Sequence, residues 1–512
     1  MEKHQTLVFD SIESVKEKVA LLRKSEKSQR MRDINFRVDQ LKKLRAAMIK
    51  YESEIHESNK KDLGLSEFMS FYGSYAVVKQ DIDEVIENIH SWAAKRPVNT
   101  PALLAPGSSY VIPEPFGVCL IMSAWNSQYQ TLIMPLAQAL AAGNLILAKP
   151  SEMAESSAIL CNKILAELDP EVVQVCQGGA EVCIELLKNK FDILVFTGSP
   201  QKGVLVAEAA AKFLTPCILE LGGQNPVIVD KSANLENAAY NLLHGRFLLS
   251  GQVCIAPEYV LVENEVYESL LHELRSTLQK FYGADPKKSQ DYSRIINDFH
   301  TQRLSKLLDA PGGKVISGGD YDLKDKYIAP TIISFDSIEK LSISPLACSE
   351  IFGPILYLAP YKKLDDCIEY INSKEKPLTL YYFGTDKINK THLMNRTSSG
   401  AFVTNDCIVH FTNSDLPFGG VGSSGYSAYH GKWGFDNLSH IKPVLERAQI
   451  LTKFRYPPFT STKQKTLKFL LNNLTISQWK LIKVVAVSAL ILAIYLNRNF
   501  LAGVLKSGFG KF

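Results

Sequence analysis

"FDILVFTGS", residues 191–199, decides the fold. Ile193 to Phe196 form an unbroken apolar run, too short for a helix, that ends in Thr197, Gly198 and Ser199. Such a run reads as a strand buried on both faces, the kind found in parallel sheets covered by helices. Four similar runs surround it: "GVCLIMS" (117–123), "NLILAKPS" (144–151), "VVQVCQGG" (172–179) and "CILELGG" (217–223). Helical stretches such as "QTLIMPLAQALAAG" and "ESSAILCNKILAELD" separate them. Alternating strands and helices predict an α/β fold with a parallel sheet. A second α/β series runs from 224 to 412 and includes "NPVIVD", "YVLVEN" and "ILYLAPY". Ahead of the first series, Leu41, Leu44, Met48, Tyr51 and Ile55 recur at near-helical spacing among charged residues, which predicts a helical layer over the sheet. Proline and small residues in "KRPVNTPALLAPGSSY" mark a break between the two.

Open parallel sheets bind ligands at the carboxyl ends of their strands. There this chain carries "AWN" (124–126), "KPSE" (149–152), "TGS" (197–199) and "ELGG" (220–223). Downstream, "SGQVCIAPEY" (250–259) sets Cys254 in a small-residue turn just before Ala256 and Pro257. A cysteine nucleophile needs a base and donors for the oxyanion it creates. Glu220 is the nearest candidate base in this grouping, or else a cap for the next turn. Asn126 can donate a side-chain N–H to an oxyanion alongside the Cys254 amide, or form an Asx turn. His410 and His430 leave a thiol-protease arrangement open. In "FTGSPQKG", Gly198, Ser199 and Gly203 precede a helix whose N-terminus could hold a phosphate. Lys149 and Glu152 are suited to ribose hydroxyls or to a plain salt bridge.

The totals bound the rest. At 512 residues the chain is long enough for two or three domains. A net charge of +4, with no basic block interleaved with aromatics, argues against nucleic acid as a partner. Nine scattered cysteines with no C-x-x-C pair point to reduced thiols in a cytosol-facing protein and to no metal site. "MEKHQTLVFD" lacks the apolar stretch of a signal peptide. Near the other end, "VVAVSALILAIYL" (484–496) is uncharged on every face. It spans about 20 Å as a helix and reaches across a bilayer only if Lys483 and Arg498 snorkel; otherwise it is a buried helix. Its position after the basic segment "KFRYPPFTSTKQKTLKF" favours the membrane, and Leu467, Leu470, Leu471 and Leu474 form an interfacial face before it.

These motifs resemble the aldehyde dehydrogenase superfamily, class 3 branch. The matching segments include "AWNSQYQTLIMPLAQALAAGN", "LAKPSE", "FTGSP", "AAAKFLTPCILELGGQNP", "SGQVCIAPEY", "EIFGPIL", "TSSGAFVTNDCIVHFT" and "LPFGGVGSSGYSAYHGKWGFDNLSH", within residues 90–445. The tail is similar to that of membrane-bound fatty aldehyde dehydrogenases. The resemblance implies NAD, with NADP possible, as cofactor and an aliphatic aldehyde as substrate, oxidised to an acid through a thiohemiacetal and thioester. It implies Cys254 as nucleophile, Glu220 as base and Asn126 as oxyanion donor. It sets Lys149, Glu152, Gly198, Ser199, Gly203, Glu350 and Phe352 at the cofactor, and Asn405 near the site. A homodimer at the endoplasmic reticulum membrane, with its catalytic domain facing the cytosol, follows from the same likeness. A soluble class 3 enzyme for aromatic or short-chain aldehydes, or a non-catalytic lipid-associated scaffold, are the alternatives. Ala124, Lys202 and Gln224 depart from the family pattern.

The expected architecture is a Rossmann-like coenzyme domain (1–95 and 117–221) and an α/β catalytic domain (222–412). A bridging β element (96–116 and 413–445), a basic and amphipathic linker (446–480) and a transmembrane helix (481–501) complete it.

Overall fold

The structure is a computed structural model that describes residues 6–449, 452–472, 484–485, 488–489 and 491–493. It divides into two compact units, Met1–Ala93 with Glu114–His440, and Ala94–Pro113 with Ile441–Phe512.

In the first unit, the five apolar runs become strands Val118–Met122, Leu145–Lys149, Val173–Val175, Ile193–Gly198 and Cys217–Leu221, all parallel. The chain starts at the central strand, Val118–Met122, and steps outward through Leu145–Lys149 to Val173–Val175. It then returns to the opposite side for Ile193–Gly198 and Cys217–Leu221. The direction of winding therefore reverses between Val118–Met122 and Ile193–Gly198, where parallel sheets open a crevice for ligands. A short antiparallel strand, Gly425–Tyr426, closes the edge beside Cys217–Leu221. Helix Gln128–Ala142 is buried along its whole length, as its nearly uncharged sequence requires.

The turn Gly222–Asn225 carries the chain into a second sheet, whose seven strands include Pro226–Val229, Tyr259–Glu263, Ile355–Tyr361 and Thr379–Phe383. All are parallel except the edge strand Lys314–Ser317. The N-terminal periodicity runs over two consecutive helices of the expected layer. Leu41, Leu44 and Met48 lie on Ile34–Lys50 and Ile55 on Glu52–Leu63, with Tyr51 out of helical geometry between them. Leu41, Leu44, Met48 and Ile55 are fully buried in the same core as the sheet strands.

The second unit holds most of a three-stranded sheet made of Arg96–Val98, Gly107–Pro115 and Ser439–Arg447. Residues 413–440, read from the sequence as part of this bridging element, pack instead within the first unit, because Gly425–Tyr426 pairs with Leu219 and Glu220. Helix Ser461–Asn472 follows. Among the described residues no helix is long and apolar enough to cross a membrane. Six of the thirteen residues of the apolar run 484–496, and Leu474 of the interfacial face, lie outside the described residues.

Candidate active site

Three consecutive residues ahead of Cys254 adopt left-handed backbone: Leu249 (φ 52°), Ser250 (φ 51°) and Gly251 (φ 72°). For two non-glycine residues this costs about 1–2 kcal/mol each, so surrounding contacts must impose it. Gly251 has no room for a side chain, since a Cβ there would sit 2.2 Å from the Gly353 carbonyl oxygen. Gln252, fully buried, donates to the Leu249 and Arg294 carbonyls (2.8 and 3.0 Å) and accepts from the Ile296 amide (3.0 Å). Asn225 donates to the Cys254 and Ala256 carbonyls (2.8 and 3.0 Å) and accepts from the Thr379 amide (2.9 Å). The thiol is thus presented on a rigid loop pinned from both sides.

Asn126 follows the central strand of the first sheet. Its side chain donates to the Gln252 carbonyl at 2.9 Å, two residues from the thiol, and this uses one of its two N–H groups. Glu220 ends the strand Cys217–Leu221 and is 1% exposed, with neither carboxyl oxygen hydrogen-bonded among the described residues. Burial pushes it up to about 7, and the neighbouring Cys254 thiol pulls the other way. Cys254 is itself held well above the usual thiol range, first by burial and then by the nearby Glu220 carboxylate. In this desolvated space the two groups cannot both ionise cheaply. The pair is suited to passing a proton between its members.

Both groups line one cavity of about 1470 Å³. Lys149, Glu152, Gly198, Ser199, Glu350 and Phe352 line it too. Lys149 is buried and pairs with Glu152 at 2.5 Å. Ser199 caps helix Pro200–Ala211, whose N-terminus opens on the cavity at the reversal of the sheet. Glu350 and Phe352 sit on a loop fixed at Ile351, whose amide donates to Glu258 (2.7 Å) and whose carbonyl accepts from Arg303 (2.7 Å). Phe352, at φ 47°, meets the Trp125 ring edge-on at 5.4 Å. Gly222 makes room for Glu350, since a Cβ would lie 2.1 Å from its carboxyl oxygen. A buried lysine paired with a half-buried carboxylate, a helix N-terminus at the sheet's switch point and a carboxylate laid against a glycine backbone fit a dinucleotide.

Two expected residues stand elsewhere. Gly203 does not line the cavity. It packs on the strand, with a Cβ there meeting Leu221 at 2.7 Å, and so permits close helix–sheet approach. Asn405 makes reciprocal bonds with Gly384 (2.8 and 3.1 Å) at the end of the second sheet, away from the cavity lining. Burial holds His410 down to about 4 and His430 to about 3, and neither is hydrogen-bonded to Cys254, which removes the thiol-protease arrangement. Of the three departures, Gln224 donates toward the Leu346 and Ser349 carbonyls and steadies the Glu350 loop, while Lys202 lines the cavity. The anchoring roles of Gln252, Asn225 and Glu258 escaped the sequence reading. The one visible signal was that each is a polar residue beside an apolar run.

A model of the aldehyde dehydrogenase family matches residues 11–444. Aldehyde dehydrogenase family 3 member A2 of Macaca fascicularis is 39% identical over 457 residues, 88% of this chain and 93% of that one. Dimeric NADP-preferring aldehyde dehydrogenase of Mus musculus is 40% identical over 436 residues, 84% and 95% of the two chains. The solved structure of the substrate-bound state of Staphylococcus aureus AldH superimposes with a TM-score of 0.86 at 36% identity, covering 89% of this chain and 98% of that one. With such likeness along nearly the whole of both sheets, this chain belongs to the aldehyde dehydrogenase family, and it is an oxidoreductase of aldehydes that works with NAD or NADP.

Proposed function

We propose that the protein oxidises medium- to long-chain aliphatic aldehydes to carboxylic acids. The observation that carries the mechanism is Glu220, a buried carboxylate with no hydrogen-bond partner among the described residues, beside the Cys254 thiol in one cavity. Cys254 gives its proton to Glu220 and attacks the aldehyde carbon. The oxyanion rests on the Cys254 amide and the free N–H of Asn126. NAD(P)+ held beside the thiol would supply the hydride acceptor, and loss of hydride from the substrate carbon would leave a thioester on Cys254. Glu220 passes that proton to solvent and then takes one from water as the water attacks the thioester; the adduct expels the Cys254 thiolate, which recovers the proton from Glu220, and the acid departs. Ser199 and the helix N-terminus behind Gly198 would hold phosphate, Lys149 and Glu152 the ribose hydroxyls, and Glu350 and Phe352 the nicotinamide ribose.

The long-chain reading draws on the breadth of the cavity and on the tail. Val484, Val485, Ile491 and Leu492 are helical and largely exposed, an arrangement suited to lipid. We place the enzyme, as a homodimer, on the cytosolic face of the endoplasmic reticulum membrane, where such aldehydes partition. Each methylene favours lipid over water by about 0.8 kcal/mol.

Cys254→Ala is expected to abolish NADH production, followed by absorbance, while cofactor binding persists. Full activity in that variant removes Cys254 as the nucleophile. Rates on hexanal and hexadecanal with NAD and NADP test the substrate class. A chain truncated after Thr462 should leave carbonate-washed membranes and lose efficiency on vesicle-borne hexadecanal only.

A further inference from the structure

The helix that begins at Glu67 and ends at Trp92 is interrupted by a π turn, Phe71–Ala76. π turns inside helices recur at functional sites. Here the turn brings Met69, Tyr72, Gly73, Ser74 and Val77 into the wall of the cavity that holds Cys254. It is fastened to the helix that starts just after Asn126. The Gln130 side chain donates to the Gly73 carbonyl and accepts from the Ser74 hydroxyl. Phe68, Phe71 and Tyr72 are 71%, 46% and 46% exposed, and Tyr72 carries this apolar rim into the cavity wall.

Gly73 is out of place in this segment. A glycine inside a helix weakens it relative to alanine, so its presence calls for a reason. Backbone conformation does not supply one, because Gly73 is absent from the residues of positive φ. Crowding does not supply one either. A Cβ at Gly73 would meet a single atom within 4 Å, the Met69 methyl at 3.7 Å, which is ordinary contact. This sets it apart from Gly203, Gly222 and Gly251, where a Cβ would lie within 2.7 Å of a neighbour. What the missing side chain leaves at Gly73 is open space in the cavity wall.

We infer that Gly73 is a specificity-determining position: the space it leaves admits the distal part of an aliphatic chain, and a side chain there would shorten the aldehydes the enzyme accepts. This rests on the long-chain reading above. The aldehyde end would be set by Asn126 and Cys254 as before, with the chain running past Gln130 to Gly73, between Met69 and Val77.

The test measures kcat/KM on hexanal and hexadecanal, both dispersed in the same detergent, for the full chain and for G73F, with G73L as a second variant should G73F fail to fold. Thermal melting with and without NAD checks folding and cofactor binding. The expected result is a fall of roughly tenfold or more on hexadecanal with hexanal changed by less than about threefold, since a filled subsite rejects only the ligand that reaches it. Adding M69A to G73F should recover part of the hexadecanal rate by reopening the same space. A folded variant that oxidises hexadecanal at the wild-type rate, or that loses both substrates equally, overturns the inference. Wild-type enzyme that turns over hexanal but not hexadecanal would instead overturn the long-chain reading, a result visible before any variant is made.

Discussion

Glu220 and Glu258 are both 1% exposed; Glu220 lies one residue before the end of strand Cys217–Leu221, and Glu258 immediately precedes strand Tyr259–Glu263. Their surroundings differ in every other respect. Glu258 accepts from Arg246 at 2.6 Å and from the Ile351 amide at 2.7 Å, so both oxygens are satisfied. Glu220 has no partner in hydrogen-bonding geometry among the described residues, only the Cys254 thiol nearby. A buried polar group without a partner is rare in folded proteins and marks stored strain, chemistry or a missing water. Burial raises both carboxyls. At Glu258 the Arg246 charge opposes the rise, whereas at Glu220 only the Cys254 thiol does. One carboxylate holds the loop that carries Glu350 and Phe352, and the other is left unencumbered beside the thiol. The difference separates a group used for architecture from one available for proton transfer.

Removing each side chain should break the comparison in opposite ways. Glu258→Ala strands the Arg246 guanidinium, itself 1% exposed, and leaves the Ile351 amide without its acceptor. Breaking a buried ion pair by deleting one member costs about 3–5 kcal/mol. We expect the variant to melt far below the wild type or to express as aggregate. Thermal unfolding checks this, and a Glu258→Ala protein as stable as the parent would mean that the pair contributes nothing net.

Glu220→Gln should do the reverse, keeping the fold and losing the reaction. General acid–base catalysis contributes roughly 10²–10⁴-fold, so steady-state NADH production should drop by about that much. A first-turnover burst of NADH near the enzyme concentration identifies hydrolysis as the failing step; a slowed burst means that Glu220 also activates the thiol. Unchanged turnover in a folded Glu220→Gln protein rules out the role.

The contrast between these two residues also shows what the sequence could and could not reveal. Strand ends were legible because unbroken apolar runs ending in glycine or hydroxyl residues have few other readings, and they located Glu220, Asn126 and Ser199. Cys254 stood out by its small neighbours. Gly198 and Gly203 looked alike in "FTGSPQKG", yet only the fold distinguishes a glycine in the cavity wall from one under a helix. Glu258 in "APEY" carried no mark of its bond to Ile351, because the partners are 93 residues apart and meet only through the second sheet. The left-handed turn at Leu249 and Ser250 was invisible for a related reason. Neither residue type favours that conformation, and contacts from Asn225, Arg294 and Gly353 impose it.

The subtlest expected effect is one of sign. Folded Glu220 keeps its proton until about pH 7, whereas the usual value for an unfolded glutamate is 4.5. Between these values the folded state binds more protons than the unfolded state, so stability from this group falls as pH rises through the window. Below pH 4.5 both states are protonated and nothing is lost; above 7 the loss is complete. At about 1.4 kcal/mol per pKa unit, the full loss is on the order of 3 kcal/mol. Glu220→Gln cannot ionise and escapes it, so the variant should match the wild type near pH 4.5 and gain on it steadily up to pH 7. At pH 8 it should be the more stable protein. Glu258→Gln should be the less stable protein at that same pH, because an amide cannot satisfy Arg246 as a carboxylate does. Denaturant unfolding of the three proteins at pH 5, 6, 7 and 8 measures this. If Glu220→Gln shows no gain with pH, Glu220 is not a buried, unpartnered carboxylate in solution, and the distinction drawn between the two glutamates fails.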